Sequence, residues 1–521
     1  MTPHKGTLMK RLNSRSLRYA VESRRMGDDV LLPHLPPADT FVKAMNTWLL
    51  RQNLPHALQQ SRCADIVTGG EVDIFSGDFS EPVWAKTLPP ILRRSLNNNR
   101  TLHTIDPLGI MSELPFTGLW YIVERGGITQ EVIQYFNLNR LHGVHQLGLL
   151  HGAVVPDENR TQQHHVSARY PHTRGMHVID VRTVVGLIAR RNNFSHHDMI
   201  KLLFCGLTHD ALTPAGGDTT KLIDGTAFDE DLHYREFLQG PAWNIFKAKH
   251  HLSKDELVEI INNHGVLGTI LDIADKVAYI SRDTHYYLAY NSAFHKHYQT
   301  GLKGYDKILA IVKQDPLVCG IWDAVVVIDG RMVIRHPQRL LRFLKLRTLL
   351  GKHLYWHPGA RITEFLFSVS IMKELYDKGT LTREMLLRFT DNELSAHIGK
   401  VLGDKYFNLS FSLFLEPYIE LFNDAESAQQ RKEELRHQGI TLAFIEKAPS
   451  ILVTHADTFW VLHKGKIMPL IEAFPDQVAE IEDEAIIQKP YRLLWIRDEQ
   501  LDHPLRNALD RAQERIDNKT Q

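Results

Sequence analysis

Apolar residues recur at helical spacing through most of this chain, and that pattern predicts a mainly α protein. Between 38 and 62, Phe41, Met45, Trp48, Leu49 and Leu54 follow a helical stripe that Pro55 interrupts. Residues 65–100 are turn-rich and poorly periodic. Beyond the Asp106-Pro107 turn, helical patterning covers 130–141, and a Gly- and His-rich stretch follows to about 170. The clearest helices are 175–191, 198–209, 254–264 and 266–287, with Ser253 and Glu256 spaced as a capping box at the third. Asp329-Gly330 joins two short apolar runs, 324–328 and 331–334, and predicts a hairpin. Helical patterning resumes at 337–356, 362–378 and 382–402. The tail mixes strand candidates at 451–454 and 459–462 with a charged helix at 500–517. These elements suggest an N-terminal helical extension (1–95), a helical core (96–402) and a mixed α+β C-terminal region (403–521).

Composition narrows the class. The chain has 521 residues, and its 61 Lys/Arg balance 61 Asp/Glu, so no basic excess points to nucleic acid. A hydrophobic share of 43% is enough for a large core. Cys63, Cys205 and Cys319 lack the spacing of a zinc site or disulfide framework, which suits a reducing, cytoplasmic setting. No apolar run has the length of a membrane span. Five basic residues, from Lys5 to Arg18, precede the first acid, Glu22, and read as a solvated basic arm. The 29 histidines change the picture most.

Three separated segments offer metal ligands. His172 ends Arg169-Tyr-Pro-His172 at the entry to one helix, His209-Asp210 closes another, and Asp275 lies within a third. Two imidazoles and two carboxylates form a mixed N/O set suited to Mn, Fe, Mg or Zn. A second pair, His197-Asp198, precedes its helix, where an Asp stabilises the N-terminus, so it is read as structural. In the third segment Asp275, Lys276, Tyr279 and Asp283 occur as D-K-x-x-Y-x-x-x-D. Asp275, Tyr279 and Asp283 then share one helical face within about 80°. A solvated helix carries charges at this spacing too, but Ile273, Ala274, Val277, Ala278 and Ile280 make most of this one apolar. Polar groups on a buried helix need partners.

The order R-x-x-H, H-D, D-K-x-x-Y-x-x-x-D resembles the HD-domain phosphohydrolases, and within them the dNTP triphosphohydrolases. Gln146-Leu147-Gly148 stands in the place of that family's Q-L-G, Arg347-x7-Tyr355-x-His357 matches its R-x7-Y-x-H, and Phe389-Thr390-Asp391-Asn392 is similar to its L-T-D-N segment. The resemblance spans roughly 100–400 and includes no SAM domain. It implies an HD-domain helical core and a divalent metal held by His172, His209, Asp210 and Asp275. It implies triphosphate contacts from Arg169, Lys276 and Arg347, with Gln146 and Asp283 on the deoxyribose 3′-hydroxyl. Tyr279 would line the sugar and Tyr355 would exclude a 2′-hydroxyl; Leu147 and His357 belong to the same binding motifs. Deoxynucleoside triphosphates are the implied substrates, in a homo-oligomer that a nucleotide activates.

One segment departs from the family. Its H-D is usually followed by two histidines that contact phosphates, and here those positions are Thr213 and Asp218. Asp218 could donate a proton only if its pKa were raised; a second metal there is the alternative. Gly216-Gly217 could bring amides near a phosphate or simply form a turn. His233 lies about where the family has another active-site histidine and is the remaining candidate acid. The break leaves open an HD phosphohydrolase on another nucleotide or a nucleic-acid end, and a dNTP sensor without turnover.

Overall fold

The computed structural model describes residues 73–76, 111–122, 127–148, 152–154, 167–169, 172–298, 304–403, 417–447, 459–485 and 490–497. The expected helices at 38–62 and 500–517 and the strand at 451–454 lie outside them. The described chain is mainly helical with small sheets, as the periodicity predicts. Among its helices are α1 (Gly127–Tyr135), α2 (Arg174–Arg191), α3 (His196–Thr208), α4 (Glu230–Phe237), α5 (Lys254–Ile261) and α6 (Gly265–Tyr298). Further along come α7 (Pro337–Leu350), α8 (Pro358–Phe367) and α9 (Asp391–Leu402). None is long and apolar enough to cross a membrane.

The central unit is α2, α3 and α6 packed on one another. Along α6, Ile273, Ala274, Val277, Ala278 and Ile280 are fully buried. At the α2–α6 contact, Arg282 donates to both oxygens of Asp180 at 2.6 and 3.0 Å, and neither side chain is exposed. A buried ion pair offsets its desolvation only in good geometry, so it favours one register between the helices. Asp180 lies one helical turn from His177, and Arg282 two turns from Asp275.

Local chemistry explains the element ends. The hairpin forms as expected, with Val325 opposite Ile334 and Ile328 opposite Arg331. Asp329 and Gly330 have φ of 50° and 71°, as a two-residue turn of this hand needs. Strand Trp460–His463 pairs in parallel with Arg331–Ile334, so the C-terminal region extends the hairpin's sheet. Strands Tyr418–Phe422, Tyr491–Trp495 and Ala443–Lys447 form a separate antiparallel sheet in that order. Two expectations need correction. Ser253 is the N-cap of α5, but its side chain makes no capping bond, because Glu256 instead accepts from Lys201 at 3.1 Å. The single helix expected over 382–402 is broken: Arg383–Arg388 ends at an extended Phe389, and Thr390 starts α9 with a true capping box to Glu393.

Two side chains tie the loop after α3 to its surroundings. Arg140 donates to the carbonyls of Ala211, Thr213 and Phe389. Asp391 accepts from the amides of His145 (2.9 Å) and Gly216 (2.7 Å) and from the His145 ring (2.6 Å).

Replacing Asp180 by Ala leaves the Arg282 charge buried and should cost about 3–5 kcal/mol. Urea denaturation measures this; a loss under about 1 kcal/mol would show that the pair does not hold the helices together.

Candidate active site

Helix α2 begins at Arg174, directly after the N-cap Thr173, whose hydroxyl accepts from Met176. Its first turn presents Arg174 and His177, a second R-x-x-H five residues beyond Arg169-x-x-His172. Gly175 between them faces the His142 ring, where a Cβ would approach within 1.9 Å. Only glycine lets this turn seat against that histidine. Helix α3 ends at Thr208 and presents His209 and Asp210. Asp275, Lys276, Tyr279 and Asp283 lie along α6.

These elements bring His177, His209 and Asp275 together, with one ligand atom of each inside a mutual 4.8 Å. His177 Nε2 is 2.9 Å from Asp275 Oδ1 and 3.1 Å from His209 Nε2. His209 Nε2 is 3.7 Å from Asp275 Oδ1. Asp210 Oδ2 stands 3.7 Å from His177 Nε2 and 3.9 Å from His209 Nε2. The expected ligand His172 is outside this group. It precedes α2, is fully buried, and turns Nδ1 to Asp283 Oδ1 at 2.9 Å. The helix start selects between the two R-x-x-H runs, because only His177 has a rigid backbone aimed at the end of α3.

The donor set fits a divalent cation. Two imidazole Nε2 atoms converge at 3.1 Å beside Asp275 Oδ1, a mixed N/O donor set of the kind a divalent cation takes. His209 Nδ1 faces the Gly206 carbonyl at 3.1 Å, and donation there leaves Nε2 as the ligand atom. Burial disfavours charge on His209, but Asp210 and Asp275 outweigh it and raise its pKa from 6.5 to about 9. Burial would likewise raise Asp275, yet its hydrogen bonds to His177 and His209 hold it well below the carboxylate range. A proton thus supplies the charge when no metal does.

Around this group the expected residues separate. The Arg169 side chain lies outside the described residues; its backbone belongs to strand Ser167–Arg169, opposite Gly152. Arg174 lies beside this group: its Nη1 donates to both oxygens of Asp210 at 3.0 and 2.9 Å, and Nη2 to Asp218 at 2.9 Å. Burial opposes the Asp210 charge, but Arg174 and the two histidines hold its carboxyl far below the usual range. Lys276 is buried and pairs with Asp272 on its own helix. Arg347 donates Nε to the Tyr279 hydroxyl at 2.9 Å, while its buried Nη1 has no partner. Gln146 is buried, its amide bonded to the His172 carbonyl and its Oε1 unpartnered. Leu147 belongs to the apolar core.

Four placements differ from expectation. Asp283 is 1% exposed and both its oxygens are taken, Oδ1 by His172 and Oδ2 by the Tyr355 hydroxyl at 2.8 Å. It therefore orients Tyr355, whose ring meets Tyr279 at 6.2 Å, rather than presenting a free acceptor to a sugar. His357 caps α8, accepting from the Gly359 amide at 3.2 Å. His233 turns Nε2 to the Thr226 carbonyl and Nδ1 to Glu236, both at 3.1 Å. Asp218 is not poised as an acid: the protein crowded around it disfavours its charge, but Lys221 and Arg174 outweigh this and lower its pKa to about 2.

The sequence reading missed Arg174, His177 and Lys221. For Arg174 and His177 the signal was present in the sequence: the helix expected over 175–191 already holds His177 in its first turn.

No family model matches the chain, and no curated protein matches it. Solved structures similar to this chain include these two. A hypothetical protein from Aquifex aeolicus shares 19% identity at a TM-score of 0.49, over 74% of this chain and 97% of its own. A phosphohydrolase from Bacteroides thetaiotaomicron shares 14% identity at 0.49, over 71% of this chain and 96% of its own. Similarity at this level says nothing about substrate.

Metal content after dialysis should separate the two histidines: His177→Ala loses bound metal and His172→Gln keeps it, and the reverse result would refute the group. A second expectation concerns pH. The folded pKa of His209 lies above its unfolded value, so its proton stabilises the metal-free fold below about pH 6.5. That contribution disappears as pH rises through about 9. The melting temperature of chelator-treated protein should fall over this range, and more steeply than in His209→Gln; equal slopes would contradict the assignment.

Proposed function

We propose that this protein is an HD-type, metal-dependent phosphohydrolase that converts a deoxynucleoside triphosphate and water to a deoxynucleoside and tripolyphosphate. The observation that carries this is the convergence of His177, His209 and Asp275 from three packed helices beside Arg174. His177, His209 and Asp275 would hold the ion, with Asp210 as a fourth donor. A bound divalent ion supplies Lewis-acid activation of water and of a phosphoryl oxygen. The chain's own groups do the rest. Arg174, Lys276 and Arg347 are fixed cations that neutralise phosphate charge, and the unpartnered Nη1 of Arg347 is free to donate.

Sugar selection would rest on Tyr355. Asp283 pins its hydroxyl and Tyr279 packs against its ring, so the ring cannot retreat from an added 2′-hydroxyl. His172 buttresses Asp283 from behind and acts through Tyr355 alone. The homo-oligomer and nucleotide activator implied by the resemblance belong to this reading as well.

Purified protein incubated with Mn²⁺ or Mg²⁺ and each dNTP, singly and mixed, should yield deoxynucleoside and tripolyphosphate by chromatography. Intact dNTP in every condition, with binding demonstrated separately, would refute turnover and leave a sensor; a mono- or diphosphate product would refute the triphosphohydrolase step. Tyr355→Ala should narrow the dNTP-to-rNTP ratio, whereas Tyr355→Phe keeps the ring and most of the ratio. An unchanged ratio in Tyr355→Ala would rule out steric selection.

A further inference from the structure

Asp218 is an unusual neighbour for a phosphate site. Its carboxylate is 55% exposed, yet it bridges two cations, with Oδ2 on Arg174 at 2.9 Å and Oδ1 on Lys221 at 3.0 Å. Arg174 is 7% exposed and locked to Asp210, whose Oδ2 approaches both histidines of the metal group. Lys221 is anchored independently. Its ammonium also meets Glu230 Oε2 at 2.7 Å, and Glu230 Oε1 accepts from the buried Thr213 hydroxyl at 2.9 Å. The two cations are therefore fixed from below by Asp210 and Glu230, while the group that joins them faces solvent.

We propose that Asp218 is an internal anion standing where a phosphate of the substrate binds, and that Lys221 and Arg174 form the cradle it vacates. This rests on the phosphohydrolase reading given above. A phosphate group matches the arrangement, since it presents at least two anionic oxygens that can take one cation each. Asp218 can rotate into solvent without unburying itself, whereas neither Arg174 nor Glu230 can. Lys221 thus supplies a positive charge at the segment where the resemblance leads one to expect histidine. With Asp210 and Glu230 already paired to the two cations, the Asp218 carboxylate leaves the cradle net negative, and a substrate phosphate must displace it.

Binding of inorganic tripolyphosphate to chelator-treated, full-length protein tests this without requiring turnover. Asp218→Asn removes the competing charge and should tighten binding by roughly two- to fivefold, the scale of one exposed charge pair. Lys221→Gln should weaken binding by a similar factor, and Lys221→Arg should retain it. Equal or weaker binding in Asp218→Asn overturns the proposal, as does unchanged binding in Lys221→Gln or no binding by any form. Failure of the dNTP product assay alongside these shifts would instead overturn the substrate assignment and leave the cradle standing.

Discussion

The Arg282–Asp180 pair is the constraint on which the site depends. Apolar packing between α2 and α6 is non-directional and would tolerate small slips along the helix axes. A fully buried ion pair does not, because a slip leaves two charges without water and without each other. The pair lies one turn from His177 on α2 and two turns from Asp275 on α6, so fixing it fixes the distance between two ligand atoms. His209 and Asp210 are then delivered by α3, which packs on both helices. The register of hydrophobic helices is thereby converted into a sub-ångström relation among polar groups at their ends.

Charge in the site alternates over short distances. Asp275 sits between His177 and the region of Arg347, Asp210 between Arg174 and the imidazoles, and Asp218 between Arg174 and Lys221. Asp210 and Asp218 stay ionised against burial because Arg174 and Lys221 are within hydrogen-bond reach, and Asp275 because His177 bonds it at 2.9 Å. Such a site is not simply an acidic hole for a metal or a basic groove for a phosphate. It can accept both only if internal pairs open, and the solvent-facing Asp218 is the pair member that can open at least cost.

Much of this fold was legible because helical periodicity reports burial, and burial decides where these helices lie. The Asp329-Gly330 hairpin and the alignment of Asp275, Tyr279 and Asp283 on one helix followed from local rules alone. The capping box at Ser253 did not form, since Glu256 had a better partner in Lys201 from another helix, and sequence spacing carries no information on that competition. The choice between His172 and His177 failed for a different reason. Both satisfy R-x-x-H, and only the position of the helix start decides which imidazole is held rigidly toward α3. Asp283 was legible as a residue needing partners, but its partners, His172 and Tyr355, lie 111 and 72 residues away.

The loop after His209-Asp210 shows how a departure from the resembled pattern can be absorbed. Arg140 and Asp391 hold the loop's backbone from outside, through the carbonyls of Ala211 and Thr213 and the amide of Gly216. These bonds hold the loop's backbone without using the side chains at 213 and 218. Thr213 is fully buried and spends its hydroxyl on Glu230, which in turn orients Lys221. On the proposed reading, the charge of the two absent imidazoles is supplied by the Lys221 ammonium, beside the Arg174 guanidinium. Neither loses its charge near neutral pH, so phosphate binding would rest on permanent charge, and the protonation state of the site would be confined to the metal group.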